Sequence, residues 1–242
     1  MAMNKNSNLY IVVYATVMVV VVATLLALAA MSLQSRQQAN MLGEKKSAIL
    51  SSLDAATENY DEFITALVVN AQGEVIEGDA LELLFDMKGA FEAGTYPIFK
   101  AQNGRVVVPV YGSGLWGPIW GYLALEPDMN TVVGIVLDHS GETPGLGAEI
   151  ATPKHQAQYV GKTIFEGEEL VAITLRKGGA QNPAHEVDAI SGGTKTSDGV
   201  SLMLLNSLNN YLPYLKAQIA AAAPAVEEPV AAEEEAANVN IE

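Results

Sequence analysis

The run from Leu9 to Leu33 is almost wholly apolar, and no charged residue lies between Asn6 and Ser35. In a helix these 25 residues rise about 37 Å, enough to cross the roughly 30 Å hydrocarbon core of a bilayer with some tilt. Residues 9–33 therefore predict one transmembrane helix, with residues 1–8 on one side and the rest of the chain on the other. A cleaved leader is the alternative, with Lys5 as its basic start and Ala27-Leu28-Ala29 resembling a cleavage site. The run exceeds the roughly 7–15 apolar residues usual in such leaders, which favours the anchor. Charge counting leaves the orientation open, because Lys5 precedes the run while Arg36, Lys45 and Lys46 follow it.

Beyond the span the chain divides into three parts. Residues 34–60 carry a polar helical pattern over Gln37–Leu53, weakened at Gly43. Residues 61–216 hold the remaining apolar periodicity and form the domain, while residues 217–242 are Ala/Glu/Pro-rich and predict a disordered acidic tail. The formal net charge is −15, and six tail glutamates leave the rest of the chain nearer −9. That balance excludes a nucleic-acid partner, which needs clustered Lys and Arg. There is no cysteine, so this chain alone holds no disulfide, no cysteine-ligated zinc and no iron–sulfur cluster.

Within the domain, strands predominate before helices. Phe63–Val69 and Glu74–Ile76 read as a hairpin around Asn70-Ala71-Gln72-Gly73. Asp79–Phe91 reads as one helix capped by Asp79, and a second hairpin joins Tyr96–Ala101 to Arg105–Tyr111 through Asn103-Gly104. Pro109 places that last strand at an edge or bulge. Trp116 to Asp128, Thr131–Leu137 and Leu170–Leu175 are further strand segments, with Lys177–Pro183 a loop. Trp120 and Tyr122 read as core rings, whereas Trp116 sits in a glycine-rich mouth where an aromatic face can meet a planar ligand. His139, His155 and His185 lack metal-ligand spacing and read as surface residues; no metal site is expected. The fold class is α+β: a mixed domain with antiparallel hairpins behind one membrane helix.

Two loops stand apart. The first is Glu142-Thr143-Pro144-Gly145-Leu146-Gly147, a tightly turned segment in which Leu146 is the one large apolar side chain. The second is Asp188-Ala189-Ile190-Ser191-Gly192-Gly193-Thr194-Lys195-Thr196-Ser197, which puts an accessible alcohol, Thr194, just ahead of a helical pattern. That pattern runs from Ser197 to Leu215, with Ser197 or Asp198 as its cap. Free N–H groups at such a helix start favour a phosphate. Read alone, the second loop fits equally a glycine turn leading into a core helix without a ligand. Asp188 fits three roles there: ordering the glycine loop, assisting a modifying enzyme, or simply forming a turn.

Asp188-Ala189-Ile190-Ser191-Gly192-Gly193-Thr194 resembles the Asp-x-x-Ser-Gly-Ala-Thr signature at which a flavin transferase joins FMN, through its phosphate, to the final threonine; Gly193 replaces the usual alanine. The Glu142–Gly147 loop resembles the Glu-Thr-Pro-Gly-Leu-Gly motif of an FMN-binding domain found in two related membrane complexes. These are the sodium-translocating NADH:quinone reductase, in its C-type subunit, and the Rnf complex, in its G-type subunit. Trp116 to Asp128 is similar to the C-type and less like the G-type. The resemblance implies FMN on Thr194, Ser191, Gly192, Gly193 and Thr196 around its phosphate, and Thr143 and Leu146 along its ring, with Glu142, Gly145, Trp116 and Asp188 in the same site. It further implies electron transfer from NADH toward quinone coupled to sodium export. On this reading the chain is one component of a translocase, is not catalytic alone and has no catalytic residue of its own. The partners implied are the neighbouring subunits and a flavin transferase for maturation. The location implied is the bacterial cytoplasmic membrane, with the domain on the periplasmic side. An Rnf-type component acting between ferredoxin and NAD, and a tethered binding or structural domain without flavin, are the competing readings.

Overall fold

The computed structural model describes residues 7–222. Its first element is a single helix, α1 (Asn8–Ser52), capped by the Ser7 hydroxyl, which accepts from the Tyr10 N–H. The apolar run and the polar helix expected to follow it are thus one rod, and Gly43 lies within it without interrupting it. The rod ends at Ser52, one residue before the end of the helical pattern expected over Gln37–Leu53, and residues 53–59 of the juxtamembrane segment lead into a four-residue helix, α2 (Tyr60–Phe63).

Strands β1 (Ile64–Asn70), β2 (Val75–Ile76), β3 (Thr95–Ala101), β4 (Val106–Ser113), β5 (Pro118–Leu125) and β6 (Val132–His139) form one antiparallel sheet in the order β2-β1-β3-β4-β5-β6. Both expected hairpins are present, with Val68 opposite Ile76 and Lys100 opposite Val106. The helix expected over Asp79–Phe91 is two: α3 (Ala80–Leu83), capped by Asp79, and α4 (Met87–Glu92), capped by Asp86. Asp86 accepts from the Gly89 N–H and so restarts the helix rather than continuing it. Pro109 lies inside the sheet by strand order, yet β4 pairs with β3 only at Val106 and Val107. Past that point the strand's free side meets a helix, where the Tyr111 N–H donates to Ser207 Oγ at 3.1 Å. Two residues before it on the same side, proline's missing N–H costs no ladder bond.

The remaining elements are two short 3-10 helices (Gly147–Ala151 and Ala157–Tyr159), α5 (Pro153–Gln156), β7 (Phe165–Glu166), β8 (Glu169–Leu170), β9 (Thr174–Arg176), β10 (Glu186–Asp188) and the long helix α6 (Thr194–Ala222). The strand expected over Leu170–Leu175 is divided: β8 pairs back onto β7 while β9 pairs in parallel with β10. Ala172, at φ 56°, turns the chain between them. The helix after the second loop starts at Thr194, three residues sooner than expected, so Ser197 lies inside it. It continues to Ala222, so residues 217–222 are helical and the rest of the expected tail lies outside the described residues.

Two apolar layers flank the sheet. On one face Val108, Val110, Leu123, Leu125 and Leu137 meet Val200, Met203, Leu204, Leu208, Tyr211 and Leu215 of α6, the stripe legible in the sequence. On the other face Val107, Tyr122 and Ala124 meet Ile49, Leu50 and Leu53 at the end of α1, together with Tyr60, Leu84 and Met87. The end of the rod is therefore core. Arg105 donates to Leu53 O while pairing with Glu126, and Lys45 donates to Leu84 O at 2.8 Å. A Cβ on Gly134 would stand 2.6 Å from Ser52 O, so only glycine lets the rod lie this close to β6.

Candidate functional site

β4, β5 and β6 end or begin at Ser113, Pro118 and His139, which pair as neighbours at one end of the sheet. The 114–117 loop and the Pro-Gly loop leave from that end. Glu142 joins them to α6. Its side chain is 4% exposed; Oε2 accepts from the Thr196 hydroxyl at 2.6 Å and Oε1 from the Trp116 N–H at 2.8 Å. Burial alone would raise this carboxyl's pKa, but bonds from Thr196 and from the Trp116 and Leu115 N–H groups, with His139 nearby, hold it below the usual carboxylate value. Gly114 and Gly147 wall the carboxylate so closely that a Cβ on either would collide with it.

Leu146 reaches across to the second loop: a Cβ on Gly192, at φ 75°, would meet Leu146 Cδ2 at 2.6 Å. Gly193 is buried against Ile190, and its carbonyl accepts the Ser197 N–H, the first bond of α6. The cap of this helix is therefore glycine, with no side chain to satisfy the first N–H groups. Thr196 offers none, its hydroxyl being turned to Glu142, and the Ser197 hydroxyl accepts from the Ile190 N–H. Thr194, the first helical residue, is exposed. It borders a groove of about 450 Å³ whose lining includes Lys177, Gly178, Gly179, Asp188, Ser191 and Gly192.

The structure thus brings Thr194, Ser191, Gly192 and Asp188 to one groove and sets Leu146 against it. It places Glu142 and Thr196 behind the loops as a buried pair, so Thr196 has only its N–H to offer a phosphate. Thr143 and Gly145 are exposed on the turn, where Thr143 O accepts the Leu146 and Ala148 N–H groups; neither lines the groove. Trp116 is 69% exposed and also lies outside that lining. Asp188 orders a loop other than the glycine turn that follows it: its Oδ1 accepts the Ala180 N–H at 2.8 Å and ties the Lys177–Pro183 loop to the groove. Sequence reasoning misses that loop as part of the site. The pair Gly178-Gly179, both at positive φ beside Lys177, is the available signal.

The groove fits a phosphate ester by its own chemistry. An exposed hydroxyl stands at a helix start that lacks a side-chain cap, glycines at 178, 179 and 192 let the backbone approach, and Lys177 supplies a cation. The family of FMN-binding domains matches residues 114–209, which contain every one of these groups. The C-type subunit of the Na(+)-translocating NADH-quinone reductase from Vibrio anguillarum is 31% identical over 234 residues, covering 83% of this chain and 90% of that protein. The chain belongs to this family of C-type reductase subunits. The relative from Neisseria meningitidis serogroup A is 43% identical over 114 residues, and there the alignment spans 44% of the relative's length. The crystal structure of the corresponding Parabacteroides distasonis protein superposes with a TM-score of 0.71 at 40% identity, covering 76% of this chain and 96% of that one.

One histidine of this family member departs from expectation. His155 is 3% exposed, its Nε2 3.2 Å from the Tyr159 hydroxyl. Burial lowers its pKa to about 4 against a smaller opposing pull from Asp188, so the ring is neutral. His139 and His185 are partly exposed, and among the described residues no group of side chains has the makings of a metal site.

Proposed function

We propose that this chain is the electron-carrying component of a membrane complex that couples NADH oxidation by quinone to sodium export, with FMN joined through its phosphate to Thr194. The observation that carries the reading is the Thr194 hydroxyl, exposed on a glycine-capped helix start and bordered by the glycine loops. Bound there, FMN supplies reversible electron transfer. The protein holds and orients it. Backbone N–H groups of the first turn of α6 and Lys177 face the phosphate, Ser191 and Gly192 line its approach, and Leu146 covers the adjoining surface. Glu142 keeps the Pro-Gly loop, the 114–117 loop and α6 in register without touching the ligand. Trp116, Thr143 and Gly145 lie outside the groove lining, exposed on the two neighbouring loops, and would be available to a flat ring reaching past the phosphate. α1 contains the one helix window among the described residues long and apolar enough to cross a membrane. It anchors the domain, which we place on the periplasmic side. A single span without internal charge forms no ion path, so sodium, NADH and quinone belong to neighbouring subunits.

The test is co-expression of the full chain with a flavin transferase, read by flavin fluorescence in a denaturing gel and by intact mass. Wild type is expected to carry one FMN and Thr194→Ala none. Fluorescence that survives Thr194→Ala, with the same mass increment, removes Thr194 from this role.

A further inference from the structure

The sheet and α1 together fix which end of the domain faces the membrane. Ser52 lies on Gly134, and Lys45 and Asp138 line one groove with Met41, Trp120 and Val136. Followed backwards from Ser52, the rod therefore runs along β6 toward His139, the end from which the 114–117 and Pro-Gly loops emerge. It then continues unbroken into the apolar run. The segment after α3 flanks the same stretch, because Phe85 and Leu81 border a groove with Gln38, Met41 and Leu42.

The distances are short. Leu33, the last residue of the apolar run, lies about 18 Å beyond Lys45 along the helix. The loops project on the order of 10 Å past Asp138, counting His139 and the turn beyond it. Their tips then stand roughly 8 Å from the hydrocarbon edge, close to a headgroup layer of about 6 Å per leaflet. Four large apolar side chains of the domain are exposed at this end: Trp116 at 69%, Leu115 at 53%, Phe85 at 46% and Leu146 at 42%, the last lying against Gly192 of the candidate site. Trp and Leu are side chains that settle at a bilayer interface.

We infer that the flavin-bearing end of the domain rests on the lipid surface, with Leu115, Trp116 and Phe85 in the interfacial layer. This rests on the reading of α1 as a membrane anchor. The docking of α1 through Gly134, Arg105 and Lys45 holds the domain in that pose. With the chain outside the tail near −9, the contact is apolar rather than electrostatic, so it survives high salt.

The chain has no cysteine, so single spin labels can be placed at Leu115→Cys, Phe85→Cys, Val160→Cys and Leu25→Cys in the full protein in nanodiscs of zwitterionic lipid. Val160 is exposed near Val132, at the opposite end of β6. The ratio of oxygen to nickel-chelate accessibility at 115 and 85 is expected to exceed that at 160 several-fold and to be unchanged at high salt. Equal ratios at 115 and 160, with 25 lipid-buried, overturn the inference and leave the anchor standing. A water-accessible label at 25 overturns the anchor itself, and this inference with it. A rise at 115 seen only after the neighbouring subunits assemble assigns the surface to a protein and refutes the lipid contact. Trp120→Phe leaves Trp116 as the sole tryptophan; its quenching by lipids brominated near the headgroup supports the pose without altering the loop, and an absence of quenching refutes it.

Discussion

Glu142 should be the most sensitive position in the site although it touches no ligand. Its carboxylate collects the Thr196 hydroxyl at 2.6 Å and the Trp116 N–H at 2.8 Å, so two loops and the start of α6 depend on one anion. Glu142→Gln keeps the shape but removes the charge: its one oxygen can still accept the Trp116 N–H, while its N–H₂ faces Thr196, whose hydroxyl must turn to accept and so loses the charge-assisted bond. A hydrogen bond to a charged group contributes about 1.5–3 kcal/mol, and a buried donor left bare costs about 1–3 kcal/mol. The carboxylate is covered only by thin glycine walls, so the lower ends apply: about 2–3 kcal/mol for Glu142→Gln, and about 1.5–2 kcal/mol for Thr196→Val. Because both changes remove the same bond, the double variant should fall short of their sum by about 1–2 kcal/mol. Denaturant unfolding of the full chain in detergent, followed by the fluorescence of Trp116 and Trp120, measures this. A coupling below about 0.5 kcal/mol, the spread expected of independent sites, refutes the latch. The pH dependence gives a second check. The folded carboxyl is held below its usual value, so its contribution is complete above the unfolded pKa and is lost as pH falls through the folded one. Wild type and Glu142→Gln should converge in acid and differ most at neutral pH.

Further outcomes are expected elsewhere. Gly192→Ala forces a Cβ into positive φ and against Leu146, at about 1–3 kcal/mol, and should depress FMN attachment on co-expression; attachment at wild-type level refutes the close packing of the two loops. Gly134→Ala should lift the end of α1 from β6 and open the Leu53–Asn59 segment to limited proteolysis, whereas an unchanged digestion pattern refutes that docking. His155, neutral in the fold with a pKa of about 4, resists the protonation that the unfolded chain accepts near pH 6.5. Stability should therefore fall as pH drops from about 6.5 toward 4, by up to about 3 kcal/mol, and His155→Phe should flatten that slope in acid unfolding curves.

Much of this fold is legible in the sequence because its signals are local. The apolar run, the Asn103-Gly104 hairpin and the 3–4 spacing of Val200 to Leu215 each sit within one element, and each appears where it is expected. The errors come where a side chain redirects the backbone over a few residues. Asp86 recaps a helix that propensity alone would continue, and Ala172 breaks a strand by adopting positive φ. Thr194 opens α6 because Gly193 supplies the cap, so a search for a Ser or Asp cap, settling on Ser197 or Asp198, lands four or five residues late. His155 is buried with its Nε2 beside the Tyr159 hydroxyl, four residues on, a spacing that reads the same whether the two rings are exposed or enclosed. In the candidate site the two motifs are visible separately, but the contact between them is not. Glu142 and Thr196 are 54 positions apart, and only the fold shows that each serves the other.

The one departure from the attachment signature bears on how the two loops are joined. Glycine in place of alanine at 193 reads from sequence as a harmless loss of a methyl. The structure shows what the methyl would meet: the Ile190 Cβ and Cγ2 at 3.0 Å and the Gly147 N at 3.3 Å. These contacts are tighter than ordinary packing allows, and Ile190, branched at Cβ, cannot turn aside by a rotamer change alone. Ile190 and Gly193 therefore act as a matched pair, with bulk before the turn and none within it. The pairing draws the cap of α6 against Gly147, the residue that also walls Glu142. The start of α6, the Pro-Gly loop and the buried carboxylate thus share one contact surface. Thr194 keeps its position because the backbone around it is held by close packing and by Glu142, while its own side chain stays exposed.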